Sequence, residues 1–136
     1  MPRRTVRKAA STLLAAATLA GGGVLAGAPT ANAASAATCY GGAVYFSGES
    51  NYHPSSGTFT TSSRCNDINI KILNLLITPS RKVKVCFYPS SQPAYCQSSY
   101  TTATSDWKVV ASDVRDGTKF RFYFESKAWV QADYAA

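Results

Sequence analysis

The sequence predicts an all-β domain, a small disulfide-stapled β-sandwich of about seven strands. Three observations lead there. Apolar and polar residues alternate with period two in three separate stretches, the pattern of strands with one buried and one wet face. No window beyond the N-terminal segment has the spacing of an amphipathic helix. Ser-, Thr-, Pro- and Gly-rich stretches punctuate the chain at short intervals, as they do in sandwiches and small barrels.

The chain has 136 residues, of which 46% are hydrophobic and 15% charged, a length for one domain. Its first segment stands apart from the fold. Arg3, Arg4, Arg7 and Lys8 form a positive region, an Ala/Leu-rich run extends from Ala9 to Ala26, and Ala31-Asn32-Ala33 closes the segment as an A-x-A cleavage site. Residues 1–33 therefore read as a secretory signal peptide, and residues 34–136 as a single secreted, extracellular domain. The run is rich in small residues and broken by Gly21–Gly23, which argues against a membrane anchor, and no Cys stands at the cleavage point to take a lipid. Arg3-Arg4 followed by Thr5-Val6 matches a twin-arginine signal only in part, so the general export route is favoured. Cleavage removes four of the 14 basic residues and none of the seven acidic ones. The remaining ten basic and seven acidic side chains give +3, an ordinary solubility charge, and the main argument for a nucleic-acid partner goes with the signal.

The candidate strands begin with Ala43–Phe46. Ile68, Ile70 and Ile72 then alternate with Asn69 and Lys71. Val83, Val85 and Phe87 alternate with Lys82, Lys84 and Cys86, and a short segment near Ala94–Gln97 completes a hairpin with them. Trp107–Ala111 follows; Phe120, Phe122 and Phe124 alternate with Arg121, Tyr123 and Glu125; Ala128–Tyr134 comes last. The stretches Ser47–Gly57, Thr78–Ser80, Pro89–Pro93 and Ser98–Asp106 read as loops. Val114-Arg-Asp-Gly-Thr-Lys-Phe120 places an apolar residue, an Asp-Gly turn and an aromatic that opens a strand. It resembles the turn by which consecutive strands cross between sheets in immunoglobulin-like and fibronectin-like domains, so the sandwich is read as immunoglobulin-like. Asp-Gly supplies the positive φ that such a tight turn needs. Arg81-Lys82 with Lys84 reads as a charged, edge-protecting strand face. Leu73–Ile77 breaks the alternation with four apolar residues in five. A strand or strand end buried in the core is favoured there; the alternative is an exposed apolar edge, with Leu75 and Leu76, that pairs with a partner chain.

All four cysteines, Cys39, Cys65, Cys86 and Cys96, lie beyond the signal. An even count in a small exported domain reads as disulfides, for which three pairings exist. Cys39–Cys65 with Cys86–Cys96 is favoured, because each closes a loop that a strand and its neighbour can make. Spacings of 26, 21 and 10 positions, no C-x-x-C and a single histidine do not supply the clustered ligands of a zinc site. No metal and no cofactor is expected. The two staples and 16 aromatic residues support a core that is modest at about 100 residues.

Catalytic templates are missing. There is no G-x-S-x-G elbow, phosphate loop or dinucleotide fingerprint. His53, in Tyr52-His-Pro-Ser55, reads as a solvated loop histidine rather than the base of a catalytic unit. No two carboxylates are singled out as a glycosidase pair, and no acidic run matches a calcium loop. Asp113 and Asp116 look like turn and cap residues, and Asp67 like a partner for backbone. The chain reads as a non-enzyme.

Binding residues are better represented. Tyr52, His53, Ser55, Ser56, Thr58, Thr60 and Thr61 fill one region, and Tyr88, Ser90, Ser91, Tyr95, Gln97 and Tyr100 fill another. Tyrosine beside serine is the palette of antibody combining loops, because Tyr gives rigid amphipathic area at low entropic cost. Tyr52, His53, Leu75, Leu76, Tyr88, Tyr95 and Tyr100 are accordingly the candidate partner-binding residues. The same composition also serves plain solubility.

Cys65-Asn-Asp-Ile-Asn69, Val83-Lys-Val-Cys-Phe87, Cys96, Trp107 and Asp116-Gly-Thr-Lys-Phe120 together resemble small secreted four-cysteine proteins of filamentous soil bacteria, over about Cys39 to Tyr134. Size, export and pattern are also similar to the small adaptor subunit of secreted umbrella toxin particles. There a small protein links a lectin-like subunit to a large repeat-bearing toxin chain. That resemblance implies a secreted, non-catalytic protein-interaction module with a secreted protein partner, and no role passes residue by residue. The alternatives are a carbohydrate or cell-wall binder that takes polysaccharide, and a small protease inhibitor presenting the Cys86–Cys96 loop. No nucleic-acid partner is expected, and no membrane after signal cleavage.

Overall fold

The computed structural model describes residues 39–73 and 80–136; the signal segment and Leu75 and Leu76 lie outside the described residues. Ten strands form: β1 (Val44–Gly48), β2 (Tyr52–His53), β3 (Phe59–Thr60), β4 (Ile68–Ile72), β5 (Arg81–Phe87), β6 (Tyr95–Cys96), β7 (Thr101–Ala103), β8 (Lys108–Ala111), β9 (Lys119–Phe124) and β10 (Val130–Ala135). All seven candidate strands are among them. The three additional ones, β2, β3 and β7, have two or three residues, too few for an alternation to register.

Two antiparallel sheets face each other. The first runs β1-β10-β4-β8. In the second, β9 and β5 lie at the centre; β2 and β3 share the row beside β9, and β6 and β7 share the row beside β5. The inward positions are those the alternation marks. Ile68, Ile70, Val83, Val85, Phe120, Phe122 and Phe124 are fully buried. Phe46 of the first sheet stacks on Phe122 of the second, with centroids 5.6 Å apart and planes within 13°. Phe59, Phe120 and Tyr134 pack around that pair.

Both favoured disulfides form. Cys39–Cys65 joins a short helical turn before β1 to the approach to β4. Cys86–Cys96 links directly paired residues of β5 and β6, whose Cα atoms lie 3.9 Å apart.

The chain crosses between sheets from β8 to β9, as the Asp-Gly turn anticipates. Gly117 has φ +76°, where a side chain would strain the backbone. The turn is fastened by Thr61, buried beside β3. Its hydroxyl donates to the Arg115 carbonyl at 2.6 Å and accepts from the Thr118 amide at 2.9 Å. Its backbone N–H and C=O pair with the Thr118 carbonyl and the Gly117 amide. Thr61→Val keeps the shape and leaves the part-buried Thr118 amide without its partner, while the Arg115 carbonyl keeps the Thr118 hydroxyl. It should lower stability by about 0.5–1.5 kcal/mol, read from the urea midpoint. Asp67 does bond backbone, accepting from the Asp113 amide at 3.1 Å.

Three readings need correction. Arg81 does not protect an edge. β5 is paired on both sides, and Arg81 points inward, only 5% exposed. Its guanidinium donates to the carbonyls of Ser126, Ala128 and Trp129 and lies 5.1 Å from the Phe124 ring, so it closes one end of the core and anchors the β9–β10 connection. Asn69, assigned to a wet face, is buried. Its amide donates to the Asp67 and Ala135 carbonyls where β4 and β8 shift register. His53 is not a solvated loop residue. In β2 it pairs with Phe122 and turns inward, 3% exposed, between the Phe46 and Phe124 rings. Gly48, at φ +153°, makes room for it: a Cβ there would sit 3.2 Å from the imidazole. Being buried, His53 cannot belong to an exposed binding surface.

His53 donates to the Ser50 carbonyl at 3.0 Å. Burial lowers its pKa below the ordinary 6.5; the Ser50 bond opposes that shift, and Arg81 and Arg121 add to it. As pH falls through 6.5 the unfolded chain takes up a proton that the folded domain resists, so this site removes stability on acidification and contributes nothing above neutrality. The melting temperature should fall between pH 7.5 and 5.0 more steeply for the wild type than for His53→Gln. Parallel curves would show that other groups carry the pH dependence.

Candidate functional site

The outer face of the second sheet brings together Tyr52, Tyr100, Tyr123, Lys84 and Arg121. Outward positions follow from the register. Lys84 lies opposite Tyr123, Cys86 opposite Arg121, and Tyr52 opposite Tyr123 on the other side. One row thus crosses the sheet as Tyr52, Tyr123 and Lys84, and Tyr100, just before β7, extends it. Tyr52 meets Tyr123 edge-on, with centroids 4.8 Å apart. Tyr100 lies 6.4 Å from Tyr123.

Cations cover the ring faces. Lys84 Nζ is 4.8 Å from the Tyr100 centroid and 5.3 Å from that of Tyr123. The Arg121 guanidinium stands 4.5 Å over Tyr52. Its N–H groups also donate to the Pro54 and Ser55 carbonyls at 2.8–3.0 Å, which ties down the turn after β2. Each pairing draws a cation to the negative face of a ring. Partial desolvation, followed by Tyr123, Glu125 and Tyr52, raises the Tyr100 hydroxyl above its ordinary pKa.

Of the sequence-derived candidates, Tyr52 and Tyr100 come together on this face. Tyr88 and Tyr95 lie at the other end of β5, in an open cleft of about 430 Å³ lined also by Phe87, Ser90, Arg115 and Lys119. Tyr95 is 55% exposed and packs against Phe87. His53 is in the core. Leu73 is 45% exposed, and the rest of the Leu73–Ile77 segment lies outside the described residues. Gln97 of the Ser/Tyr-rich region is an internal strut. Its amide accepts from Val85 N–H and donates to the Val110 carbonyl, joining the two sheets.

Sequence reasoning missed Lys84, Arg121 and Tyr123. Their signal was present, since period two puts all three on wet faces. That two such faces are adjacent depends on β5 pairing with β9, whose partner residues lie 33 to 41 positions further on, which alternation alone does not specify.

Among the described residues no three His, Cys, Asp or Glu side chains are grouped to hold a metal, and no helix is long and apolar enough to cross a membrane. No family model, curated protein or solved structure matches this chain.

Proposed function

We propose that this protein is a secreted, non-catalytic module that binds another secreted protein through the outer face of its second sheet. The carrying observation is the row Arg121, Tyr52, Tyr123, Lys84 and Tyr100, in which each ring is held by a cation or another ring. Tyrosine and arginine dominate the energetics of protein interfaces, and side chains already held in place lose less entropy on docking. A sugar stacks on bare ring faces, whereas here a cation already lies against each of Tyr52, Tyr100 and Tyr123. The signal-like segment and the two disulfides support export. The resemblance to umbrella-toxin adaptors supplies one candidate assembly, in which the partner is the lectin-like or the toxin-bearing subunit.

Tagged protein recovered from native culture fluid should bring down a stoichiometric partner, and Tyr100→Ala or Tyr123→Ala should abolish its recovery without changing the fold. Recovery of the protein alone, migrating as a free monomer, would remove this reading.

A polysaccharide role has its own support in the cleft at the end of β5, where exposed Tyr95 stands beside Tyr88 and Ser90. Retention on insoluble polysaccharide that Tyr95→Ala reduces and Tyr100→Ala does not would establish it.

A further inference from the structure

The charge on the binding face is ordered as well as positive. Along β5 and β9 each outward rung holds one cation. The first rung has Lys82 beside Glu125, the second Lys84 beside Tyr123, the third Arg121 beside Cys86, and the fourth Lys119 beside Tyr88. The stripe crosses from β5 to β9 as it descends. Same-face positions on a strand recur about every 7 Å, so the backbone positions of the four cations span about 20 Å. None of them has a carboxylate within 4.0 Å among the described residues. Glu125, at one end, is the single acidic residue on these rungs. The first sheet differs, since its outer row alternates as Tyr45, Asp133 and Lys71 and so balances its charge. A domain of net charge +3 therefore holds four of its ten cations on one face.

A repeat of about 7 Å is also the spacing of every second side chain in an extended peptide. We propose that the face accepts an extended acidic segment of the partner protein, with carboxylates at alternate residues against Lys82, Lys84, Arg121 and Lys119. The tyrosines beside the stripe would flank that segment's backbone. This rests on the protein-docking reading and adds the chemistry of what docks. Charge complementarity of this kind sets encounter rate and selectivity and is screened by salt.

The test uses the mature chain and two labelled peptides of identical composition, one alternating Glu with Ser and one with the same glutamates in a block, measured by fluorescence anisotropy at 20 and 300 mM salt. The alternating peptide should bind about ten-fold more tightly than the block at low salt and lose most of that affinity at high salt. Lys82→Gln with Lys84→Gln and Lys119→Gln should remove the binding while the melting temperature stays within a few degrees; Arg121 is spared because it also holds the turn after β2. Equal binding of the two peptides would overturn the spacing argument, and no binding of either would overturn the acidic-segment proposal. Tighter binding of polygalacturonate or duplex DNA than of the alternating peptide would overturn it in favour of a polysaccharide or nucleic acid. A partner whose recovery from culture fluid needs Tyr100 but is indifferent to salt and to the lysine changes would leave docking standing and this proposal refuted.

Discussion

Phe122→Ala should lower stability by about 3–5 kcal/mol, a large share of the net of about 5–15 kcal/mol that folded domains have. Phe122 is fully buried in β9 and lies within 6.2 Å, centroid to centroid, of Phe46, Phe59, Phe120 and Tyr134. Those neighbours come from both sheets and from four strands. Removal of the ring therefore opens a cavity at the seam where the two layers meet, and paired strands on either side restrict collapse into it. Phe122→Leu refills much of the space and should cost about 1–1.5 kcal/mol. Urea unfolding followed by near-ultraviolet circular dichroism measures both. A loss below about 1 kcal/mol for the alanine variant would mean that the sheets meet elsewhere. Tyr95→Ala is the surface comparison and should change stability by no more than about 0.5 kcal/mol.

Opening the disulfides should have an effect of the same order. Cys39–Cys65 spans 26 positions and Cys86–Cys96 spans ten. Loop closure in the unfolded chain alone gives about 3.5 kcal/mol for the first and about 2.7 kcal/mol for the second. Reduction of both should unfold the domain near physiological temperature. Cys39→Ala with Cys65→Ala should cost more than Cys86→Ala with Cys96→Ala, although Cys86 is the more deeply buried. The two double variants in urea test the order. Near-ultraviolet dichroism unchanged by reductant would show that the core holds without its staples.

Much of the fold was legible because its strands are long enough to write a period. Ile68–Ile72 and Phe120–Phe124 each bury three alternate residues, and in both the apolar side is the inner side. The pairing of cysteines followed from the same strands, since Cys86 and Cys96 face each other across a hairpin. Short elements carried no such signal. Tyr52–His53 was legible only as a polar, aromatic loop, yet its two side chains go to opposite faces of a sheet, Tyr52 outward to the outer face of the second sheet and His53 inward to the core. Arg81 misled for a related reason: a cation at a strand end looks like edge protection until the connection from β9 to the opposite sheet supplies three carbonyls to receive it.

The amino-acid sequence by itself determined the class of this protein: the longer strands, most inward faces and the crossing turn, with the staples narrowed to three pairings of which one was favoured. These are local properties, fixed by side-chain period, by backbone preference at Asp-Gly and by the reach of a hairpin. The tertiary structure decided which wet faces stand side by side. Lys84, Arg121 and Tyr123 are unremarkable alternating residues in the sequence; the antiparallel register of β5 with β9 makes them one surface with Tyr52 and Tyr100. Register between distant strands is set by how the buried faces pack against the other sheet, and that is a property of the whole core rather than of any one segment.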